Sequence, residues 1–272
     1  MNMAALNHPA HYRSLGNRKV LVVEDIEINQ YLARHIMESW GFEVSIAENG
    51  RKGLEALMQR NFDLVLMDIQ MPEMDGIQAA AEIRKMEDPV KATTPIIALT
   101  ANINTAETTK YLEAGMNDYL SKPIVESVLF QKISMNIRET LAEQEDLSEV
   151  LQEETPALRQ RCYDLSLIRS LSGGDEDFVR RMIALFTETI PESARLLVLA
   201  SAEGRWSDAS KIAHKMKSTI DSMGIATLKT IIREIESKSK HGSDTDRIHA
   251  LACQVEETLL VCIAELQEDF NQ

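Results

Sequence analysis

Between residues 19 and 121 the chain returns five times to a short β-type run: KVLVV (19–23), FEVSIA (42–47), DLVLM (63–67), PIIAL (95–99) and DYLS (118–121). The middle runs are apolar on consecutive positions rather than alternating ones. A strand that is apolar on both faces must be covered on both faces, which is the situation inside a parallel sheet. Helical periods lie between the runs, near 27–39, 51–60, 76–86, 105–114 and 124–138. Five βα units in series predict an α/β fold: a doubly wound, five-stranded parallel sheet sandwiched by helices, with right-handed crossovers.

After residue 160 the β-type runs stop. Helical periods appear near 164–171, 175–189, 192–202, 206–222, 226–240 and 245–268, with breaks at SGGD, Pro191, AEGR, MG and HGSD. This predicts an all-α antiparallel helical bundle. Between the halves, residues 139–158 carry 7 acids and no base, and stand out as a connector. A helical extension and a loose tether both fit its pattern. The organisation expected is therefore a leader over 1–17, an α/β domain over 18–138, an acidic linker over 139–158 and a helical bundle over 159–272. The leader is expected to be flexible, the trace of a longer parent chain.

A formal charge of −14, from 43 acids against 29 bases, argues against nucleic-acid binding through a basic surface. No apolar run approaches the roughly 20 residues a membrane span needs, and the first residues lack the apolar core of a signal peptide. Cys162, Cys253 and Cys262 show no metal-ligand spacing and read as reduced, buried thiols. A cytoplasmic protein without direct membrane contact is the expectation.

Polar residues fall at the carboxyl ends of the predicted strands: Glu24 and Asp25 after the first, Asp68 after the third, Thr100 after the fourth and Lys122 after the fifth. Open α/β sheets bind ligands along that edge. One acid at a strand end is usually a cap or turn residue; five converging positions are a site. Three adjacent carboxylates repel one another, and a hard cation such as Mg²⁺ relieves this through oxygen ligands. A carboxylate left free on one oxygen can attack phosphorus, while a lysine ammonium and a threonine hydroxyl receive the phosphoryl oxygens.

The stretches VLVVEDIEIN, DLVLMDIQMPEMDG, IIALTAN and DYLSKP resemble the receiver domain of two-component response regulators, especially those attached to hybrid histidine kinases. The resemblance covers about 18–138 and implies a flavodoxin-like receiver. It makes Asp68 the phosphoacceptor, with Mg²⁺ held by Glu24, Asp25, Asp68 and the backbone carbonyl of Gln70. Thr100 and Lys122 would bind the phosphoryl group, Tyr119 would be the aromatic switch, and the Lys122–Pro123 bond would be cis. Ile26 departs from the pattern, since such domains often carry Asn there.

In the second half, Ala209, Ile212, Ala213, Met216, Ile220 and Met223 form an apolar stripe at helical spacing. His214 lies about 160° from Met216 at helical pitch, among Ser210, Lys211, Lys217, Ser218 and Asp221, and is expected to face water. An exposed imidazole is often neutral at cellular pH and offers a free nitrogen to phosphorus. Lys217 and Lys211, one turn away on either side, favour an added phosphoryl charge. His35, His241 and His249 read as surface or half-buried positions.

The segment AHKMKSTIDSMG resembles the phosphohistidine helix of histidine-containing phosphotransfer (HPt) domains, over about 160–270. That implies His214 as a second phosphoacceptor with Lys217 as helper. Ser218 stands where the family usually has Gly. There are no ATP-binding glycine boxes, so a kinase catalytic domain is not expected, and transfer between His and Asp would be self-catalysed with Mg²⁺. The two resemblances imply a phosphorelay. An upstream histidine kinase phosphorylates Asp68, the group exchanges with His214, and a downstream response regulator receives it. The C-terminal part of a hybrid sensor kinase and a free-standing relay protein both fit. An alternative is a regulated interaction module, in which phosphorylation of Asp68 controls partner binding by the helical half without relay through His214.

Overall fold

The computed structural model describes residue 12 and residues 15–101, 105–138, 161–241 and 245–270. The first half alternates β1 (Lys19–Val23), α1 (Glu27–Ser39), β2 (Glu43–Ala47), α2 (Gly50–Gln59), β3 (Leu64–Asp68), α3 (Gly76–Ile83), a four-residue α4 (Pro89–Ala92), β4 (Ile96–Thr100), α5 (Thr105–Glu113), β5 (Asp118–Ser121) and α6 (Glu126–Arg138). All strand pairs are parallel, in the order β2-β1-β3-β4-β5. The expected doubly wound sheet is present.

The consecutive apolar positions divide between two layers. Val20, Val22, Leu64, Leu66, Ile97 and Leu99 pack with Ile28, Leu32, Ile36, Leu129 and Ile133 of α1 and α6. Their neighbours Leu21, Val23, Val65, Met67, Ile96 and Ala98 pack on the other face with Leu57, Ala79, Ala80, Ile83 and Tyr111 of α2, α3 and α5. The period-2 geometry of a strand sends alternate residues to opposite faces, so an unbroken apolar run supplies both cores.

The second half comprises α7 (Ser166–Ser172), α8 (Glu176–Ala202), α9 (Trp206–Ser222), α10 (Ala226–His241) and α11 (Thr245–Phe270). Helices α8 to α11 form a closed ring of four, each packed on the next, with α11 returning to α8. Short connections between consecutive packed helices make neighbours antiparallel.

Three expectations need correction. The break at Pro191 is absent, and α8 runs through it from Glu176 to Ala202. Proline there removes one backbone donor, at a typical cost of about 3 kcal/mol, but Leu185, Phe186, Ile190, Ala194 and Leu197 are all buried on the same helix and offset it. The leader does not stand wholly free: Tyr12 is buried with its ring 5.3 Å from Trp40 and 4.9 Å from Phe130. Of the three cysteines, all free, only Cys262 is buried; Cys162 and Cys253 are half-buried. The acidic connector 139–158 lies outside the described residues. Among the described residues, no helix is long and apolar enough to cross a membrane.

Candidate functional site

The sheet brings Glu24, Asp25, Asp68, Thr100 and Lys122 to one edge. Asp68 and Thr100 are the last residues of β3 and β4, and Lys122 follows β5 by one residue. Lys122 Nζ lies 2.5 Å from Glu24 Oε2 and 2.8 Å from Asp68 Oδ2, with all three side chains buried. Burial and the neighbouring Asp68 carboxylate push Glu24 up to about 7, against the pull of Lys122. For Lys122 burial alone would lower the ammonium, but Asp68 and Glu24 together raise it above the usual lysine value. The Lys122–Pro123 bond is cis.

Neighbouring groups fix the carboxylates. Glu24 Oε1 accepts from Asn29 Nδ2 (3.0 Å) and from the Ile26 amide (3.3 Å). The Gln70 amide approaches Asp68 Oδ1 at 3.4 Å. Carboxylate oxygens of Glu24, Asp25 and Asp68 lie within 4.8 Å of one another. Asp25 Oδ1 is buried without a hydrogen-bond partner. Three clustered carboxylates with an orphaned oxygen are the donor set a hard divalent cation takes. Chain packing around Asp68 is close: a Cβ on Gly76 would stand 2.1 Å from the Asp68 carbonyl oxygen, so this helix start admits only glycine. Thr100 Oγ1 is 3.2 Å from the Tyr111 hydroxyl. Tyr119 is half-buried at the margin of the second core, with Lys132 Nζ 5.0 Å from its ring centre.

His214 sits near the middle of α9. Its Nδ1 is 2.5 Å from Glu236 Oε1 on α10, and Lys217 Nζ is 2.6 Å from Glu236 Oε2. Burial would raise Glu236, but hydrogen bonds from His214 and Lys217 hold it down at about 2. A carboxylate acceptor selects the imidazole tautomer with the proton on Nδ1 and leaves Nε2 as the free nitrogen. His214 borders a cleft of about 520 Å³ lined also by Lys211, Ser210, Glu236 and, from the sheet domain, Gln70.

The polar stripe expected to face water is mostly covered. His214 is half-buried, with a side chain 17% exposed. Lys217, Ser218 and Asp221 are buried. Glu236 covers Lys217, Arg233 covers Asp221 at 2.6 Å, and Asn29 of the sheet domain covers Ser218 at 3.1 Å. Helical periodicity separates polar from apolar faces, but a polar face is buried equally well by charged partners. Glu236 and Asn29 were missed as site residues because each reaches its partner from a distant segment. Among the described residues, two other histidines make structural contacts: His35 stacks on Phe178, and His249 Nδ1 is 3.0 Å from the Ser201 hydroxyl. The side chain of His241 lies outside the described residues.

A doubly wound sheet of this strand order, with a lysine-bridged acidic pocket at its carboxyl edge, places the first half in the flavodoxin-like class of α/β domains. Within that class its family is specific. Residues 20–134 match the response regulator receiver domain, and the chain carries a receiver domain of that family. Curated relatives include sensor histidine kinases and sensor proteins. The sensor histidine kinase AruS of Pseudomonas aeruginosa is 27% identical over 238 residues, covering 86% of this chain and 22% of that protein. The aerobic respiration control sensor protein ArcB of Escherichia coli K12 is 30% identical over 219 residues, covering 80% of this chain and 27% of that protein. The chain thus spans about a quarter of the length of these relatives. Among solved structures, the receiver domain of sensor histidine kinase PA1611 from Pseudomonas aeruginosa PAO1 is 34% identical, with a TM-score of 0.43. The match covers 46% of this chain and 100% of that one, whose structure has a magnesium ion in the active-site cleft.

Proposed function

We propose that the chain is a two-station phosphorelay protein, with Asp68 and His214 as the two phosphoacceptors and the helical half acting as an HPt domain. The observation that carries this reading is the His214–Glu236 hydrogen bond, which leaves Nε2 as the nucleophilic nitrogen beside an open cleft. The extent of the sensor-kinase alignments supports it: 219 to 238 aligned residues exceed the receiver's span and must reach into the helical half.

The chemistry follows from the groups present. An upstream histidine kinase gives its phosphoryl group to a carboxylate oxygen of Asp68, forming an acyl phosphate. Lys122 and Thr100 receive the phosphoryl oxygens. Nε2 of His214 then attacks phosphorus in line, the P–O bond to Asp68 breaks, and its electron pair returns to the carboxylate. The Nδ1 proton stays in the hydrogen bond to Glu236, which balances the positive charge forming on the ring. Lys217 secures Glu236. Glu24, Asp25 and Asp68, with the Gln70 carbonyl, would hold Mg²⁺, whose charge offsets the carboxylates and the phosphoryl oxygens. Tyr119 is the proposed switch, packing inward as Thr100 engages the phosphoryl group. A downstream receiver takes the group from His214, and the reverse flow to Asp68 and water is chemically equivalent.

The test is labelling from a small acyl phosphate with Mg²⁺, followed by acid and base treatment. The wild-type chain should carry base-stable, acid-labile label as well as base-labile label. Asp68→Asn should carry neither, and His214→Gln only the base-labile form. Label confined to Asp68 in the wild-type chain, with a helical half that still binds partners, would favour the interaction-module reading instead.

A further inference from the structure

We propose that the receiver's first partner is the helical bundle of its own chain, and that Asn29 and Ser218 are the positioning residues that set the fit. This rests on the relay reading above and adds that transfer runs within one molecule. The contact is built from α1 and the turn before it. Asn29 has two amide N–H groups on one nitrogen. One points to Glu24 Oε1 at 3.0 Å and the other to Ser218 Oγ at 3.1 Å. Both side chains are buried, so the amide that orients a pocket carboxylate also reads the hydroxyl of the bundle.

Further contacts surround this pair. Lys215, next to His214 in the chain, forms an ion pair with Asp25 of the acidic pocket. Tyr31 and His35, one turn apart on α1, both stack on Phe178 of α8, with ring centres 5.4 and 3.7 Å away. Polar groups fix the register, and the aromatic cluster excludes water. Glycine at 218 would leave one Asn29 N–H unpaired, whereas a larger side chain would collide with the carboxamide. Serine therefore marks this bundle as complementary to a receiver with Asn at 29.

The experiment uses the full chain and two readouts. Phe178 should move the His35 ring-proton resonances upfield, by a shift that does not depend on chain concentration. Transfer from Asp68 to His214 should be first order, with a rate constant likewise independent of concentration. Ser218→Leu should abolish the shift and slow transfer by roughly tenfold, the scale of one lost buried polar contact. Adding Asn29→Ala should make room and restore both in part, a rescue that general damage to the bundle would not show. Lys215→Glu, at an exposed side chain, should weaken both readouts in the same direction. Absence of the His35 shift, or a transfer rate proportional to chain concentration, overturns the intrachain proposal and leaves the relay standing. An intact shift with no label on His214 overturns the relay reading, and this proposal falls with it.

Discussion

Glu236 does for His214 what Lys122 does for Asp68: each holds a proposed phosphoacceptor in place through an opposite or complementary charge. Glu236 also has a pH signature. In the folded chain it sits at about 2, below the ordinary carboxylate value of 4.5, because His214 and Lys217 favour its ionised form over the pull of burial. A depressed carboxylate stabilises the fold fully above its unfolded value and loses that contribution as pH falls toward the folded one. The stability gap between wild type and Glu236→Gln should thus close progressively as pH falls from about 4.5 toward 2. Thermal unfolding across that range checks it, and a gap independent of pH would refute the assignment. The two proposed phosphoacceptor positions were legible in the sequence because each lies at a patterned place, a strand end or a polar helical face. Glu236 was not: nothing in IIREIESK marks it, and its partner is 22 residues away. Asn29 was hidden for the same reason, since Ser218 is 189 residues from it.

At the scale of elements, strands were read well because a run of consecutive apolar residues has few uses other than a doubly covered sheet. β1 and β5 fall where their runs fall. The four-residue α4 escaped notice, being too short to show a period. Helix α8 was misread at Pro191, where local propensity lost to burial along the whole helix. Its start is set by a cap: Asp175 Oδ1 accepts from the amides of Asp177 (3.0 Å) and Phe178 (3.1 Å), and Glu176 and Asp177 add negative charge to the first turn. Asp175→Ala should cost about 1 kcal/mol of bundle stability, measured by urea unfolding. An unchanged midpoint would show that the α8 start is held by packing alone.

At the scale of the molecule, two halves of opposite architecture share one surface, and the proposed phosphoacceptor of each lies beside it. The receiver supplies the carboxylate pocket, and the bundle supplies an imidazole with a carboxylate behind it. Sequence periodicity resolved both architectures but not their juxtaposition, because complementarity between two surfaces has no period. The central claim is that phosphorus passes through Asp68 to reach His214. Phosphorus-31 NMR of the full chain with Mg²⁺ and a small acyl phosphate tests it most directly. The wild-type chain should show a protein acyl phosphate resonance followed by a nitrogen-bound phosphorus resonance, and Asp68→Asn should show neither. A nitrogen-bound resonance of wild-type intensity in Asp68→Asn would contradict the account, because His214 would then be acquiring phosphorus without the receiver.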